Sequence, residues 1–172
     1  METSEAKLLA QDLMSKHGLR EWSFKLNKNK RLLGICKESN KRIELSEHYV
    51  TMNDETHVLD TILHEIAHAL VGAKHGHDAV WKDMCRQLGC SPRACEKSVT
   101  MPVGDWRAQC PSCKKEISRH RRPDRLRGFY CINCGPEKGI LKFVNFKMQY
   151  QKRIDHAVAK KPEAVQLMLK IF

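Results

Sequence analysis

The chain has 172 residues, enough for one modest core with a small appended module. It contains no apolar run of about 18 residues and opens on the polar stretch Met1–Lys7, which argues against a membrane span or a secretory signal. Its net charge is +11, and its eight cysteines, without a secretory signal, point to metal ligands and free thiols in a reducing cytoplasmic, nucleoid or nuclear setting rather than to disulfides.

Ser4 to His17 has a helical pattern that places Leu8, Leu9 and Leu13 on one face, with Gly18 as its stop. Trp22–Leu26 alternates and predicts a strand, and Asn27–Arg31 is a polar turn into a second strand, Leu32–Cys36. Arg42–Ser46 alternates again, with Ile43 and Leu45 on one face. These three segments predict a small antiparallel sheet, after which Asn53 and Asp54 offer a cap for a long apolar helix. Helices, then a sheet, then helices with no βαβ repeat indicate an α+β fold.

That apolar helix carries the chemistry. Residues 64–68 read His-Glu-Ile-Ala-His inside the stretch Val58–Val71. Positions four apart share a helix face, so His64 and His68 can turn ring nitrogens toward one ion. Glu65 is rotated by about 100° from His64, beside the ion but not on it. Two neutral histidines, an open position and a neighbouring carboxylate make a zinc hydrolase site. A largely buried helix that keeps three such polar side chains needs a partner for them, and a metal supplies it.

The helix is predicted to end near Gly72, and Ala73-Lys-His-Gly-His-Asp78 follows. His75 and His77 both compete for the third ligand position. His77 is preferred because it stands at the start of the next helix, about Asp78 to Leu88, capped by Asp78 and anchored by Val80, Trp81 and Met84, with Gly89 as its stop. A third histidine six residues after the second is excluded, because that position is Lys74. For a glutamate ligand, Glu96 is a loose candidate.

Ser91 to Val103 contains two prolines and no clear period, and reads as a linker or meandering connection. Beyond it, Cys110-Pro-Ser-Cys113 and Cys131-Ile-Asn-Cys134 are two CxxC pairs separated by 17 residues. Each pair presents two thiolates, and four thiolates close a tetrahedral structural zinc site with no open position. The charge balance changes at the same place. Residues 1–103 hold 15 Lys and Arg against 14 Asp and Glu, whereas residues 104–153 hold 13 against 4. A module this basic implies a phosphate-bearing partner, and with no arrangement for base-specific reading it suits a nucleic acid of single-stranded character. Arg119, Arg121, Arg122, Arg125 and Arg127 are placed to neutralise phosphates, and Tyr130 to stack on an unpaired base. For one of Phe129 and Tyr130 the alternative is packing inside the ribbon, and Phe143 and Phe146 carry the same ambiguity. Cys36, Cys85, Cys90 and Cys95 lack knuckle spacing and read mostly as buried thiols. The organisation predicted is a core over 1–103, a β-rich zinc ribbon over 104–148 and a tail over 149–172, with a helix from Pro162 to Ile171.

Taken together, His64, Glu65, His68, His77 and Trp81, preceded by Leu32-Leu33-Gly34 and Arg42–Ser46 and followed by the four-cysteine element, resemble the SprT/Spartan family of zinc metalloproteases. The resemblance covers most of the chain. One departure is Asp78, where many members have glycine after the third histidine. The resemblance implies an endopeptidase that cleaves proteins bound or crosslinked to DNA, with DNA gating access to its cleft. Two zinc ions per chain are expected, one catalytic on His64, His68 and His77 and one structural on the four cysteines. Glu65 is expected to take a proton from the attacking water and return it to the leaving amine. Tyr49, His57 and His75 are nearby candidates for steadying the oxyanion, and Asp60 for orienting a ligand. The alternative is a DNA-binding ribbon protein with a vestigial protease core. It leaves the joint presence of both histidines, Glu65 and a usable third histidine unexplained.

Overall fold

The computed structural model describes residues 1–94, 98–125 and 127–160. Cys95, Glu96 and the helix expected over 162–171 lie outside them. The chain divides into two units, Met1–Pro102 and a second beginning at Val103.

The first unit opens with α1 (Thr3–Lys16), where Glu5 returns its carboxylate to the Glu2 N–H at 3.1 Å. Its fully buried line is Ala6, Ala10 and Met14, at four-residue spacing. Leu9 and Leu13 flank that line, and Leu8, expected on the buried face, is 68% exposed. The contact line is occupied by small side chains, which let the helix lie close to its neighbours and leave the leucines on its flank.

Three strands follow, β1 (Ser23–Asn27), β2 (Gly34–Lys37) and β3 (Arg42–Ser46), in the order β1-β3-β2. The β2–β3 pair is antiparallel and joined by a short turn, in which Lys41 takes a left-handed conformation at φ 43°. β1 pairs parallel to β3, so the sheet is mixed. The reason lies in residues 28–33, which carry the chain across β3 to its far side instead of folding back as a hairpin. Asn side chains satisfy the amides of this crossing: Asn27 accepts from Asn29 N–H at 2.9 Å, and Asn29 accepts from Arg31 N–H at 2.8 Å.

Ser46 ends β3 and caps α2 (Glu47–Met52). The Asp54 carboxylate then accepts the His57 N–H at 3.0 Å and starts α3 (Glu55–Val71), which stops at Gly72 with φ 87°. Asp78 accepts the Trp81 N–H at 3.1 Å to start α4 (Ala79–Leu88), which ends at Gly89. The core gathers Ile43, Leu45, Tyr49, Val50, Val58, Ile62, Ile66, Trp81 and Cys85. Val80, expected as an anchor, is 47% exposed; Trp81 and Cys85, four apart, form the inward line of α4 instead.

In the second unit, β4 (Trp106–Gln109), β5 (Glu116–Arg119) and β6 (Val144–Asn145) make an antiparallel sheet in the order β5-β4-β6. Its small core is Ala108, Cys110, Cys131, Leu141 and Phe143. A single turn, α5 (Gly135–Lys138), follows the second cysteine pair, and α6 (Phe146–Lys160) follows β6 directly. A break between ribbon and tail at residue 149 would therefore fall inside a helix.

Candidate metal centres and cleft

α3 sets His64 and His68 one turn apart, and the loop before α4 brings His77 across to them. The Nε2 atom of His77 stands 3.2 Å from Nε2 of both His64 and His68. Nitrogens at the corners of a tetrahedron with zinc–nitrogen bonds of about 2.0–2.1 Å stand about 3.4 Å apart. The two separations from His77 are therefore close to what one ion requires, and ligand nitrogens of all three rings lie within 4.8 Å of one another. Burial, and then the neighbouring histidines, push His64 down to about 3; burial and then His77 push His68 down to about 4. Both rings are neutral at physiological pH, the state in which an imidazole can donate a lone pair to a metal. Trp81 forms the floor: its ring centroid lies 4.6 Å from His64, 5.2 Å from His68 in a stacked arrangement, and 4.5 Å from His77. Of the two competing histidines, it is His77 that joins the cluster. His75 turns Nδ1 to Asp78 Oδ2 at 3.0 Å.

Glu65 leaves the cluster sideways and packs on β2. It is 6% exposed, and burial pushes its carboxyl up to about 8, opposed by a hydrogen bond from the Cys36 N–H. Cys36 is half-buried, and its thiol is pushed up to about 12 by burial first and then by the Glu65 and Glu38 carboxylates. It is thus a protonated, unreactive neighbour at neutral pH.

His64, Glu65, His68 and His77 line a cleft of about 610 Å³. One wall is Leu32–Cys36, the edge of the sheet. The other is made by Ser91, Arg93, Ala94, Val99 and Met101. The segment expected to be a linker or meandering connection therefore supplies one wall of the cleft, and side chains of α3 and of the turn before it hold it there. Asp60 accepts the Ser91 N–H at 2.7 Å. The side chain of Asn53 donates to the Thr100 carbonyl at 2.8 Å and accepts the Thr100 N–H at 2.7 Å. His57 Nε2 lies 3.1 Å from Ser98 Oγ. No sequence signal marks these clamps, because two of the three act on main-chain atoms.

They also revise four side-chain expectations. Asp60 orients the wall, not a histidine. Tyr49 is fully buried, its hydroxyl donating to the His57 carbonyl at 2.7 Å. His57 pairs with Asp54 and Ser98, and His75 with Asp78. Tyr49, His57 and His75, the three oxyanion candidates, are all absent from the cleft lining.

In the second unit the Sγ atoms of Cys110, Cys113, Cys131 and Cys134 all lie within 4.8 Å of one another. Cys113 and Cys131 are 3.7 Å apart, far beyond a bond of about 2.05 Å between disulfide sulfurs. Thiolates around zinc at about 2.3 Å stand about 3.8 Å apart, so the cluster suits one structural zinc. The two knuckles share a backbone: Lys114 donates to the Cys110 carbonyl at 3.0 Å and Gly135 to that of Cys131 at 2.9 Å, with φ of 60° and 70°. Burial would raise the Cys110 thiol, but the N–H groups of Cys113 and Ser112 lead in holding it down to about 7.

The arginines of the ribbon differ in role. Arg119 lies over the rings of Phe129 and Phe143, at 4.4 and 5.2 Å, and those two rings pack edge to face. Phe129 and Phe143 are thus core residues. Arg122 is 5.8 Å from the Trp106 ring. Arg121, Arg125 and Arg127 are exposed, as is Tyr130 at 50%. Phe146 is exposed too, with Arg107 4.2 Å over its ring.

The profile of the SprT-like family matches residues 5–101, and that of the SprT-like zinc ribbon domain matches residues 105–142. No curated protein was found to match the chain.

Proposed function

This chain belongs to the SprT-like family, and on that basis we propose that it is a zinc-dependent endopeptidase acting on proteins held on DNA. The observation that carries the proposal is the triangle of His64, His68 and His77 ring nitrogens with buried Glu65 beside it in an open cleft. Zinc held by the three histidines would supply Lewis acidity, polarising the scissile carbonyl and lowering the pKa of water toward about 7. Glu65 takes the proton of the attacking water and passes it to the leaving amine. Burial raises the affinity of the Glu65 carboxyl for a proton, the direction a general base at this position needs. Trp81, fully buried, packs against all three histidine rings and fixes their orientation. β2 pairs with β3 along one edge, and its other edge faces the cleft, where an extended peptide can lie along it.

The ribbon supplies the second half of the reading. Arg121, Arg122, Arg125 and Arg127 neutralise phosphates, Arg119 braces the aromatic core beside them, and Tyr130 offers a ring to an unpaired base. Holding DNA raises the local concentration of proteins bound or crosslinked to it. No helix among the described residues is long and apolar enough to cross a membrane, and a four-thiol zinc site suits a reducing intracellular compartment.

The test is digestion of a DNA-binding protein with and without single-stranded DNA, comparing wild type with Glu65→Gln. Wild type should hold two zinc ions and cleave; the variant should hold two and cleave about 10²–10⁴-fold more slowly. Equal cleavage by both, or a single zinc in wild type that cysteine substitution alone removes, would overturn the proposal.

A further inference from the structure

Glu38 lies outside the cleft, in the turn Glu38–Asn40 between β2 and β3, yet it reaches the loop that delivers His77. Its Oε2 accepts the Ala73 N–H at 2.7 Å. Its Oε1 is 3.4 Å from the point where a Cβ on Gly72 would stand. Other backbone hydrogen bonds of this loop are local: Gly72 N–H to His68, His75 N–H to Gly72, Gly76 N–H to Ala73 and Asp78 N–H to His75. They hold its shape without fixing it to the sheet. Two of its residues are glycines at positive φ, 87° for Gly72 and 50° for Gly76, so the loop is built from the least restrained residue type.

We propose that Glu38 is a positioning residue for the third histidine: its carboxylate fixes the start of the loop to the sheet and so holds His77 where His64 and His68 can share an ion with it. The inference rests on reading those three histidines as metal ligands. A hydrogen bond to an ionised acceptor is among the stronger ones available to a backbone amide, and this one acts five residues before the Trp81 floor-bearing helix begins at its Asp78 cap. With the tether gone, His77 must be ordered when the metal binds, and affinity falls by the cost of that ordering.

The experiment compares wild type, Glu38→Ala and Glu38→Gln in zinc competition against a chromophoric chelator, with the ribbon zinc as internal standard. Glu38→Ala should weaken the histidine-bound zinc by about 10–100-fold, the range typical of partners that orient ligands. It should leave the ribbon zinc in place and speed hydrogen exchange at the Ala73 amide. Glu38→Gln keeps an oxygen acceptor and should recover most of the affinity. Excess zinc should restore turnover to Glu38→Ala, which a general loss of structure would not allow. Unchanged zinc affinity in Glu38→Ala, or loss of both zinc ions alike, would overturn the inference. If wild type itself holds only the ribbon zinc, the metal reading of the histidines fails and the inference fails with it, a result distinct from two zinc ions in wild type with no effect of the variant.

Discussion

Gly34 and Glu65 approach so closely that a Cβ on Gly34 would stand 2.7 Å from Oε1 and 2.9 Å from Cγ of the carboxylate side chain. The missing side chain at Gly34 lets the sheet press onto the acid of α3 and fixes the direction in which that acid points.

Gly34→Ala should therefore displace Glu65 without touching a ligand. Gly34 is not among the glycines at positive φ, so the cost is steric, about 1–3 kcal/mol for an overpacked site. Both zinc ions should remain, while cleavage falls at least about tenfold, in line with a misplaced general base. Metal analysis run beside a cleavage assay checks this. Undiminished cleavage would mean that Glu65 does not act from this position.

His77→Ala should remove or severely weaken the zinc held by the histidines, whereas His75→Ala should cost far less. The second loses a contact to Asp78, which keeps its other oxygen on the Trp81 N–H. Zinc content of the two variants decides, and the reverse result would move the ligand role to His75.

Acid stability should depend on Glu44, a buried carboxylate in β3. Lys37 Nζ lies 2.7 Å and Arg42 Nε 2.9 Å from its Oε1, and Asn27 donates to Oε2 at 3.1 Å. The Lys37 hydrogen bond leads in holding its pKa below the ordinary 4.5, against the opposing effect of burial, with Asn27 and Arg42 assisting. Because the folded pKa is the lower one, the unfolded chain binds the extra proton. The contribution is present above pH 4.5 and is lost as pH falls through the folded pKa. Unfolding midpoints measured downward from pH 7 should fall below about pH 4.5 in wild type. Glu44→Gln should start lower and show a flatter acid limb. An identical acid limb in the two proteins would remove Glu44 from this role.

Charge reversal at Arg121, Arg122, Arg125 and Arg127 should weaken single-stranded DNA binding and flatten its salt dependence, by roughly 0.7 in log–log slope per lost phosphate contact. Neither metal cluster includes these residues, so both zinc ions should stay. Fluorescence anisotropy at several salt concentrations gives the slope. Unchanged affinity and slope would reduce the segment to a solvated surface.

The features legible in the sequence are the local ones. Asp54, Gly72, Asp78 and Gly89 mark helix ends through their own conformational preferences, and the HExxH and CxxC spacings follow from helix and knuckle geometry. What escaped depends on distant partners. The parallel pairing of β1 follows from where residues 28–33 carry the chain, and no property of β1 itself encodes it. The Ala6–Ala10–Met14 line was hidden because hydrophobicity favours the leucines beside it, whereas close packing favours small side chains. The wall made by Ser91, Arg93, Ala94, Val99 and Met101 was hidden because its holding groups, Asn53 and Asp60, sit 30 or more residues earlier in sequence.

That wall has a consequence for how such a cleft can be altered. At Ser91 and Thr100 the attachment is through main-chain N–H and C=O groups, which almost any amino acid carries. The constraint falls on the two side chains that grip, and the gripped residues are largely interchangeable, proline excepted. Substitution at Arg93, Ala94 or Val99 can therefore reshape the pocket surface while the anchors at Ser91 and Thr100 stay in place, which makes these the positions at which the proposed specificity can be altered.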